Sequence, residues 1–251
     1  ISLNSVINQK FRESEIIIIN NHKKKITKAI LGTSLKRIKI INSKKNLFSA
    51  KGRNLGGYKS KFEYLAFLDD DDQWSNKYLL EANKIINNKN PDAILTNVYK
   101  SKSKNKIFKK IKNLNIQECF IRNPGCMGSN LIVKKEKFIK INGFNQYYIP
   151  AEDREFLIRM LLNKFKISVS KSKIFYNEEN PKSITKNLSL TLNGHTNLML
   201  KYKSYINLKN KIFIYFKLNK FKFLLEKNFL RKTFYLLKSI FFYILCGVIK
   251  W

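Results

Sequence analysis

The chain has 251 residues, with 50 Lys and Arg against 17 Asp and Glu, and a formal net charge of +33. That length suits one sizeable α/β domain plus an appendage, and such a charge invites anionic partners: nucleic acid, an anionic membrane surface or anionic small molecules. There is no aromatic RNP block and no Cys/His zinc spacing, which sets nucleic acid aside, and Cys119, Cys126 and Cys246 form no CxxC and no even framework, which excludes a disulfide scaffold and fits a reducing, cytoplasmic compartment.

Residues 1–11 place Ile1, Leu3, Val6, Ile7 and Phe11 at near-helical spacing. Glu15 to Ile19 is a β-branched run, hence a buried parallel strand, and Ile38 to Ile41 is the next short one. Between them stands Asn20-Asn21-His22, in which the lone His reads as a solvated loop residue. Asn46 to Gly57 is a Gly- and Asn-rich loop that becomes a helix, with Gly56 and Gly57 allowing close packing.

Tyr64 to Leu68 reads as a buried strand that ends in four consecutive carboxylates, Asp69 to Asp72. Side chains alternate across a strand, so Asp69 and Asp71 leave its end on one side and Asp70 and Asp72 on the other. Like charges so close repel, which is tolerable at a solvated, helix-capping turn and useful around a hard divalent cation. An apolar strand with an acidic end, followed by Trp74 and a helix, is where open α/β sheets bind ligands.

Ser75 or Asn76 is the expected cap of a helix reaching about Asn88, with Leu79, Leu80, Ala82, Ile85 and Ile86 toward the sheet. Pro91 breaks it, Ala93 to Val98 is a strand, and Lys100 to Lys112 is an exposed loop or hairpin. Asn123 to Asn130 is turn-rich and ends in the polar pair Ser129 and Asn130. Leu131 to Val133 is a strand and Lys135 to Ile141 a short helix with Gly143 as its C-cap. Glu152, Asp153 and Glu155 open a helix to Leu162, favourably placed for its dipole, and Phe165 to Tyr176 reads as a strand.

From about Asn197, aromatic residues and lysines interleave, and Ser239 to Ile249 is uncharged between Lys238 and Lys250, with Trp251 closing the chain. That stretch is too short to span a bilayer, which takes about 20 apolar residues. It suits a helix lying on an anionic membrane, or equally a helix packed on the main domain or on a second copy.

Phe67-Leu68-Asp69-Asp70-Asp71-Asp72-Gln73-Trp74 resembles the Phe-Leu-Asp-x-Asp-Asp-x-Trp block of family 2 glycosyltransferases, enzymes of the GT-A fold. Lys51-Gly52-Arg53-Asn54-Leu55-Gly56 resembles their Ala-Arg-Asn-x-Gly segment, and Gly143-Phe144-Asn145 with Glu152-Asp153 through Arg159 their Gly-Phe-Asp, Glu-Asp and Arg segment. Ser5-Val6-Ile7-Asn8-Gln9 is similar to the family's first helix. The ordered set covers most of residues 1–190.

The resemblance implies a Rossmann-like mixed α/β sheet flanked by helices over residues 1–195, with a nucleotide-sugar half (1–100), an acceptor half (116–195), and a helical basic and aromatic extension at 196–251. It also implies that the family's first strand, ending in Pro-Thr-Tyr-Asn, is missing ahead of Ile1. It implies an inverting transfer from a nucleotide-diphosphate sugar, expected to be a UDP-sugar, onto a glycan or lipid-linked hydroxyl in bacterial surface polysaccharide or lipooligosaccharide synthesis. In that reading Asp69 and Asp71 hold Mg²⁺ or Mn²⁺. Asn21, Arg53, Asp69, Asp70 and Asp72 contact the donor, and Asp153 is the general base. Ser129 and Asn130 fall in a segment that lines the acceptor side in relatives and are candidates for sugar hydroxyls. Ser183-Ile184-Thr185 and His195 fall in a segment that some relatives close over the site; for His195 a metal-ligand role is one alternative, and a helix-surface role suits it better. Where the family carries Asp-Asp-Gly-Ser, this chain has Asn20-Asn21, whose amides accept hydrogen bonds without charge. That departure keeps open a catalytically inactive remnant; a basic protein for anionic polymers is the other competing reading.

Overall fold

The computed structural model describes residues 1–22, 24–32, 36–43, 47–111, 114–179 and 184–248. Ser183, Lys250 and Trp251 lie outside the described residues. The chain forms two compact units: 1–112 with 125–146 and 159–180, and 113–124 with 147–158 and 181–251. The boundary expected at 195/196 falls inside a helix of the second unit, α7 below.

The first unit is mixed α/β. Its elements are α1 (Ser2–Ile7), β1 (Ile16–Asn20), β2 (Ile38–Asn42), α2 (Ser49–Lys59), β3 (Tyr64–Ala66), β4 (Gln73–Trp74), α3 (Tyr78–Lys89), β5 (Ala93–Lys100) and β6 (Ile107–Lys109). The second unit contributes α4 (Ile116–Ile121), after which β7 (Leu131–Lys134) and α5 (Lys135–Lys140) return to the first. The helix α6 (Glu152–Leu162) begins in the second unit and ends in the first, where β8 (Ile167–Tyr176) follows. The remaining helices, α7 (Leu188–Tyr202), α8 (Leu208–Leu225) and α9 (Phe229–Val248), belong to the second unit.

The β-branched runs become strands as their composition requires. β1 and β2 pair in parallel, Ile16 opposite Ile38 through Asn20 opposite Asn42, in a two-stranded sheet of their own. With one neighbour each they are only partly buried. The larger sheet runs β3-β7-β5-β8-β4, with β6 also paired to β5. Only β5 and β8 run parallel within it; the other pairs are antiparallel. β5, buried at Ala93 to Thr96 and Val98, is its central strand. The segment 100–109 is the expected hairpin.

The core joins Trp74, Tyr78 and Ala82 to Ile94, Val98, Ile132 and Ile174. Leu79, Ile85 and Ile86 pack partly buried against it, so the apolar face of α3 is the one its spacing specifies. The expected cap is corrected. Neither Ser75 nor Asn76 caps α3; its N-cap position is Lys77, which makes no capping bond. Gln9, from the end of α1, accepts the Leu79 N–H at 3.0 Å and donates to the Ser75 carbonyl at 2.9 Å. A long amide side chain from another element thus satisfies a donor that helix geometry leaves open.

The second unit is helical. Its buried side chains include Phe120, Phe156, Leu157, Leu198, Tyr202, Ile214 and Leu218. Glu155, fully buried, accepts from the Tyr202 hydroxyl at 2.8 Å and pairs with Lys201 at 3.3 Å. Among the described residues, no helix is long and apolar enough to cross a membrane.

Candidate active site

In the larger sheet β3 and β4 are at opposite ends, yet only residues 67–72 join them. Neighbouring strands lie about 4.8 Å apart, so a short link has to cross several strand ends. It crosses in steps. Phe67 still donates to the Leu131 carbonyl, at 3.3 Å, and the Asp72 N–H then closes on the Asp69 carbonyl at 3.3 Å in a tight turn. The expected alternation of the four carboxylates therefore does not arise: strand pairing stops at Ala66, and the acids occupy a turn.

Each acid meets a different environment. The Asp69 carboxylate is 39% exposed, and one guanidinium nitrogen of Arg53 bonds both of its oxygens at 2.8 Å. Asp70 is exposed; partial burial of its carboxyl, then the neighbouring Asp71 and Asp69 charges, hold its pKa above the usual carboxylate range. Asp71 is half-buried. Asp72 is 1% exposed, and its Oδ1 accepts the Asn177 N–H at 3.1 Å. Burial pushes its pKa up to about 7 against the opposing pull of Ser129. Asp72, expected to contact the donor, has its side chain turned inward here, where it ties the turn to the end of β8.

Arg53 stands on α2 where its guanidinium meets three things at once. It pairs with Asp69, lies 5.3 Å from the centre of the Phe144 ring, and fills the space over Gly128. A Cβ at Gly128 would sit 2.3 Å from its Cζ, so any side chain there would push the guanidinium from this position. Next to it, Asn54 donates to the Phe144 carbonyl and accepts the Phe144 N–H, both at 2.7 Å. Arg159 donates to the carbonyls of Gly143, at 2.7 Å, and Ile141. Gly143, at φ +58°, turns the chain beyond α5 against Asn54. The Arg-Asn segment and Arg159 therefore converge on the turn at residues 141–144, which carries the Gly-Phe pair.

Ser129 and Asn130 are fully buried, which corrects their assignment to sugar hydroxyls. The Ser129 hydroxyl accepts the Asp69 N–H at 3.0 Å, and its carbonyl accepts from the Trp74 indole at 3.0 Å. The Asn130 amide bonds the carbonyls of Thr96 and Gly125 and the Met127 N–H. Ser129 braces the acidic turn, and Asn130 holds the 125–130 turn that carries Ser129.

Asn21 lies against the first turn of α2, its Nδ2 3.1 Å from where a Cβ on Gly52 would stand, and its buried Oδ1 has no hydrogen-bond partner. Asn20 is spent on structure: its amide donates to the Lys24 carbonyl and to Asn42, both at 2.8 Å. His22 is exposed and accepts the Lys24 N–H at 3.2 Å, a local turn contact. In the second unit, Asp153 is half-buried in the first turn of α6, between buried Glu152 and Arg154. A groove of about 780 Å³ also opens in the first unit, between α1 and the β4–β8 pair, with Asn8, Trp74, Lys77 and Lys173 among its lining. It contains none of the four acids.

The turn supplies oxygen donors of the kind Mg²⁺ or Mn²⁺ prefers, and crowding of Asp69, Asp70 and Asp71 is the condition a cation relieves. Among the described residues no three acidic, His or Cys groups form a ready metal cage. The donor set therefore fits a cation sharing its coordination with substrate phosphate and water, as Mg²⁺ commonly does, and does not fit a structural ion.

A mixed sheet whose strand ends carry a braced acidic turn defines an α/β protein with an acidic ligand-binding edge. The chain belongs to glycosyl transferase family 2, whose model matches residues 1–147. It is 28% identical over 183 residues to an uncharacterised glycosyltransferase of Methanocaldococcus jannaschii, covering 67% of this chain and 61% of that one. A Haemophilus influenzae relative, likewise an uncharacterised glycosyltransferase, is 25% identical over 63% of this chain and 56% of its own length. The chain thus spans little more than half of these relatives. The fold is GT-A. It is similar to S. aureus TarS 1–349 in complex with UDP-GlcNAc, with a TM-score of 0.63 at 15% identity, over 96% of this chain and 84% of that one. It is also similar to GalNAc-T7 with UDP, GalNAc and Mn²⁺, with a TM-score of 0.62 at 16% identity, over 84% and 47%.

Proposed function

We propose that the protein transfers a sugar, with inversion, from a nucleotide-diphosphate donor of the UDP-sugar type to a hydroxyl of a glycan or lipid-linked acceptor in surface polysaccharide synthesis. The observation that carries this is the acidic turn: three solvent-reachable carboxylates, Asp69 to Asp71, held across the strand ends by Arg53 and Ser129. Membership of the family and the UDP and UDP-GlcNAc complexes of the fold neighbours support the donor class.

Asp71, with Asp69, would hold Mg²⁺ or Mn²⁺, which when bound supplies positive charge against the departing diphosphate. Arg53 fixes the Asp69 carboxylate in one orientation, Asp70 faces the donor, and the unfilled Oδ1 of Asn21 accepts from the nucleotide base. Asp153 takes the proton of the acceptor hydroxyl as that oxygen bonds the anomeric carbon. The bond to the diphosphate oxygen breaks, and its electron pair leaves with the nucleotide. One displacement inverts the centre.

A contact with anionic membrane suits the second unit. α9 exposes Phe229, Leu230, Leu237, Phe241 and Ile244, with Arg231, Lys232 and Lys238 interspersed. This would place the enzyme on the cytoplasmic face, beside a lipid-linked acceptor.

The test is transfer from UDP-sugars with Mn²⁺, before and after EDTA, in wild type and Asp153→Asn. Transfer is expected to stop with EDTA, and the variant should lose roughly 10²–10⁴-fold in turnover while keeping its UDP affinity. Unchanged turnover in Asp153→Asn removes Asp153 from its role. A second reading, a family member without transferase activity, is favoured by one observation: Asn20, where the family has its first Asp, is consumed by loop contacts. Absence of any heat on titrating UDP with Mn²⁺ would select it.

A further inference from the structure

We infer that Arg154, His195 and Lys217 form a binding site in the helical unit for an oxyanion of the phosphate class.

Arg154 is a buried charge that lacks its counterpart. Arg154, on the first turn of α6, is 4% exposed. Its one side-chain hydrogen bond reaches Nδ1 of His195, on α7, at 3.2 Å, and its Nε is buried without a partner. Among the described residues no carboxylate pairs with it. Glu155 is taken by Tyr202 and Lys201, and Glu118 by Arg122, whose Nε lies at 2.7 Å. A guanidinium removed from water without an anion is costly, and one bond to an imidazole does not offset that. A cation near a helix N-terminus also opposes the helix dipole. Sequences that retain such a group ordinarily use it.

The neighbours add donors and no acceptor of negative charge. A guanidinium can only donate, so the Nδ1 of His195 accepts and its proton resides on Nε2, which is left as a donor. Burial, then the charges of Arg154 and Lys217, lower the His195 pKa to about 3, which keeps the ring neutral. Lys217, on α8, spends one proton on the Ile121 carbonyl at 2.7 Å and keeps two. Its pKa falls to about 8 through burial and then the charges of Arg154 and Arg122. The Cys119 thiol beside Arg154 has its pKa pushed up to about 12 by burial, so it supplies no thiolate. A planar fork, a point cation and a neutral N–H match the several oxygens of a phosphoryl group. Three helices from distant parts of the chain converge to supply them.

The experiment measures the melting temperature of the full chain in inorganic phosphate against chloride at equal ionic strength, without nucleotide or divalent metal. Wild type should gain roughly 3–6 °C at ten times the dissociation constant. Arg154→Met should lose the phosphate-specific gain while melting, in chloride, at or above wild type, because it removes an uncompensated charge. Lys217→Gln, on a half-buried helix position, should weaken the phosphate response roughly tenfold and serves if the Met variant does not fold. Equal responses in wild type and both variants, or no phosphate-specific response in wild type, overturn the site. A repeat with saturating UDP and Mg²⁺ separates the two sources of the anion. Loss of the phosphate gain identifies it as the donor's own diphosphate, and an additive gain as a second phosphate such as one on the acceptor. No sugar transfer is measured, so the outcome stands apart from that of the transferase assay.

Discussion

Arg53 holds Asp69 through a single nitrogen that bonds both carboxylate oxygens at 2.8 Å. The charge that starts the acidic turn is thereby oriented before any ligand arrives, and its repulsion of Asp70 and Asp71 is partly neutralised. Arg53→Lys replaces a planar fork by a point cation on a different stem. The expected result is a 10–100-fold weaker Mn²⁺-dependent UDP affinity in calorimetry, the scale seen when groups behind metal ligands are removed. The fold should persist, because Asn54 keeps both of its bonds to Phe144. Unaltered affinity would show that the turn needs no such orientation.

Asp72 gives a prediction of opposite sign to the usual active-site substitution. Its folded pKa, about 7, lies above the ordinary value near 4. Its stabilising contribution is therefore fully present below about pH 4 and lost as pH rises through 7. Asp72→Asn keeps an acceptor for the Asn177 N–H and removes the buried charge. At pH 8, free of divalent ions, the variant should melt roughly 3–6 °C above wild type, and the two should converge near pH 4.5. A lower melting temperature at pH 8 would mean that the ionised form is the one the structure uses.

His195 governs the acid side. Its pKa is depressed to about 3 from near 6.5, so its contribution is present above pH 6.5 and lost as pH falls toward 3. His195→Gln should flatten the decline in stability between pH 6 and 4 by up to about 1 kcal/mol per pH unit, after allowance for partial solvent access. Urea denaturation at stepped pH measures this. Parallel declines in both proteins would place the acid sensitivity elsewhere.

The α9 surface is tested with vesicles. Binding should appear with anionic vesicles, fall with salt, and drop at least tenfold in Phe241→Ser/Ile244→Ser, since both side chains are more than half exposed. Equal recovery of wild type and double variant on vesicles would exclude this face as the contact.

Much of this was readable from residues alone, and the reasons are local. Ile16 to Ile19, Ala93 to Val98 and Leu131 to Val133 are strands because β-branched and apolar side chains in short runs fit nothing else here. The site of the acidic turn followed from the end of such a run. What stayed hidden depends on contacts far apart in sequence. Gln9 caps α3 from 70 positions away, and Asn20 meets Asn42 across 22. Ser129 and Asn130 looked like a polar loop because composition does not reveal that a buried turn must satisfy its own carbonyls. Two asparagines ending neighbouring strands were the available sign of the Asn20–Asn42 pair. No spacing rule joins Arg154 to His195 and Lys217. Residues 113–124 and 147–158 carry no mark that they belong with the C-terminal helices.

The passage from β3 to β4 within six residues has an evolutionary consequence. The same six residues must cross the strand ends and close the turn between Asp69 and Asp72, so losing or gaining one between Phe67 and Gln73 would change which acid stands at which place in the turn. Lineages exploring this loop would therefore keep more of the arrangement by exchanging side chains than by altering its length.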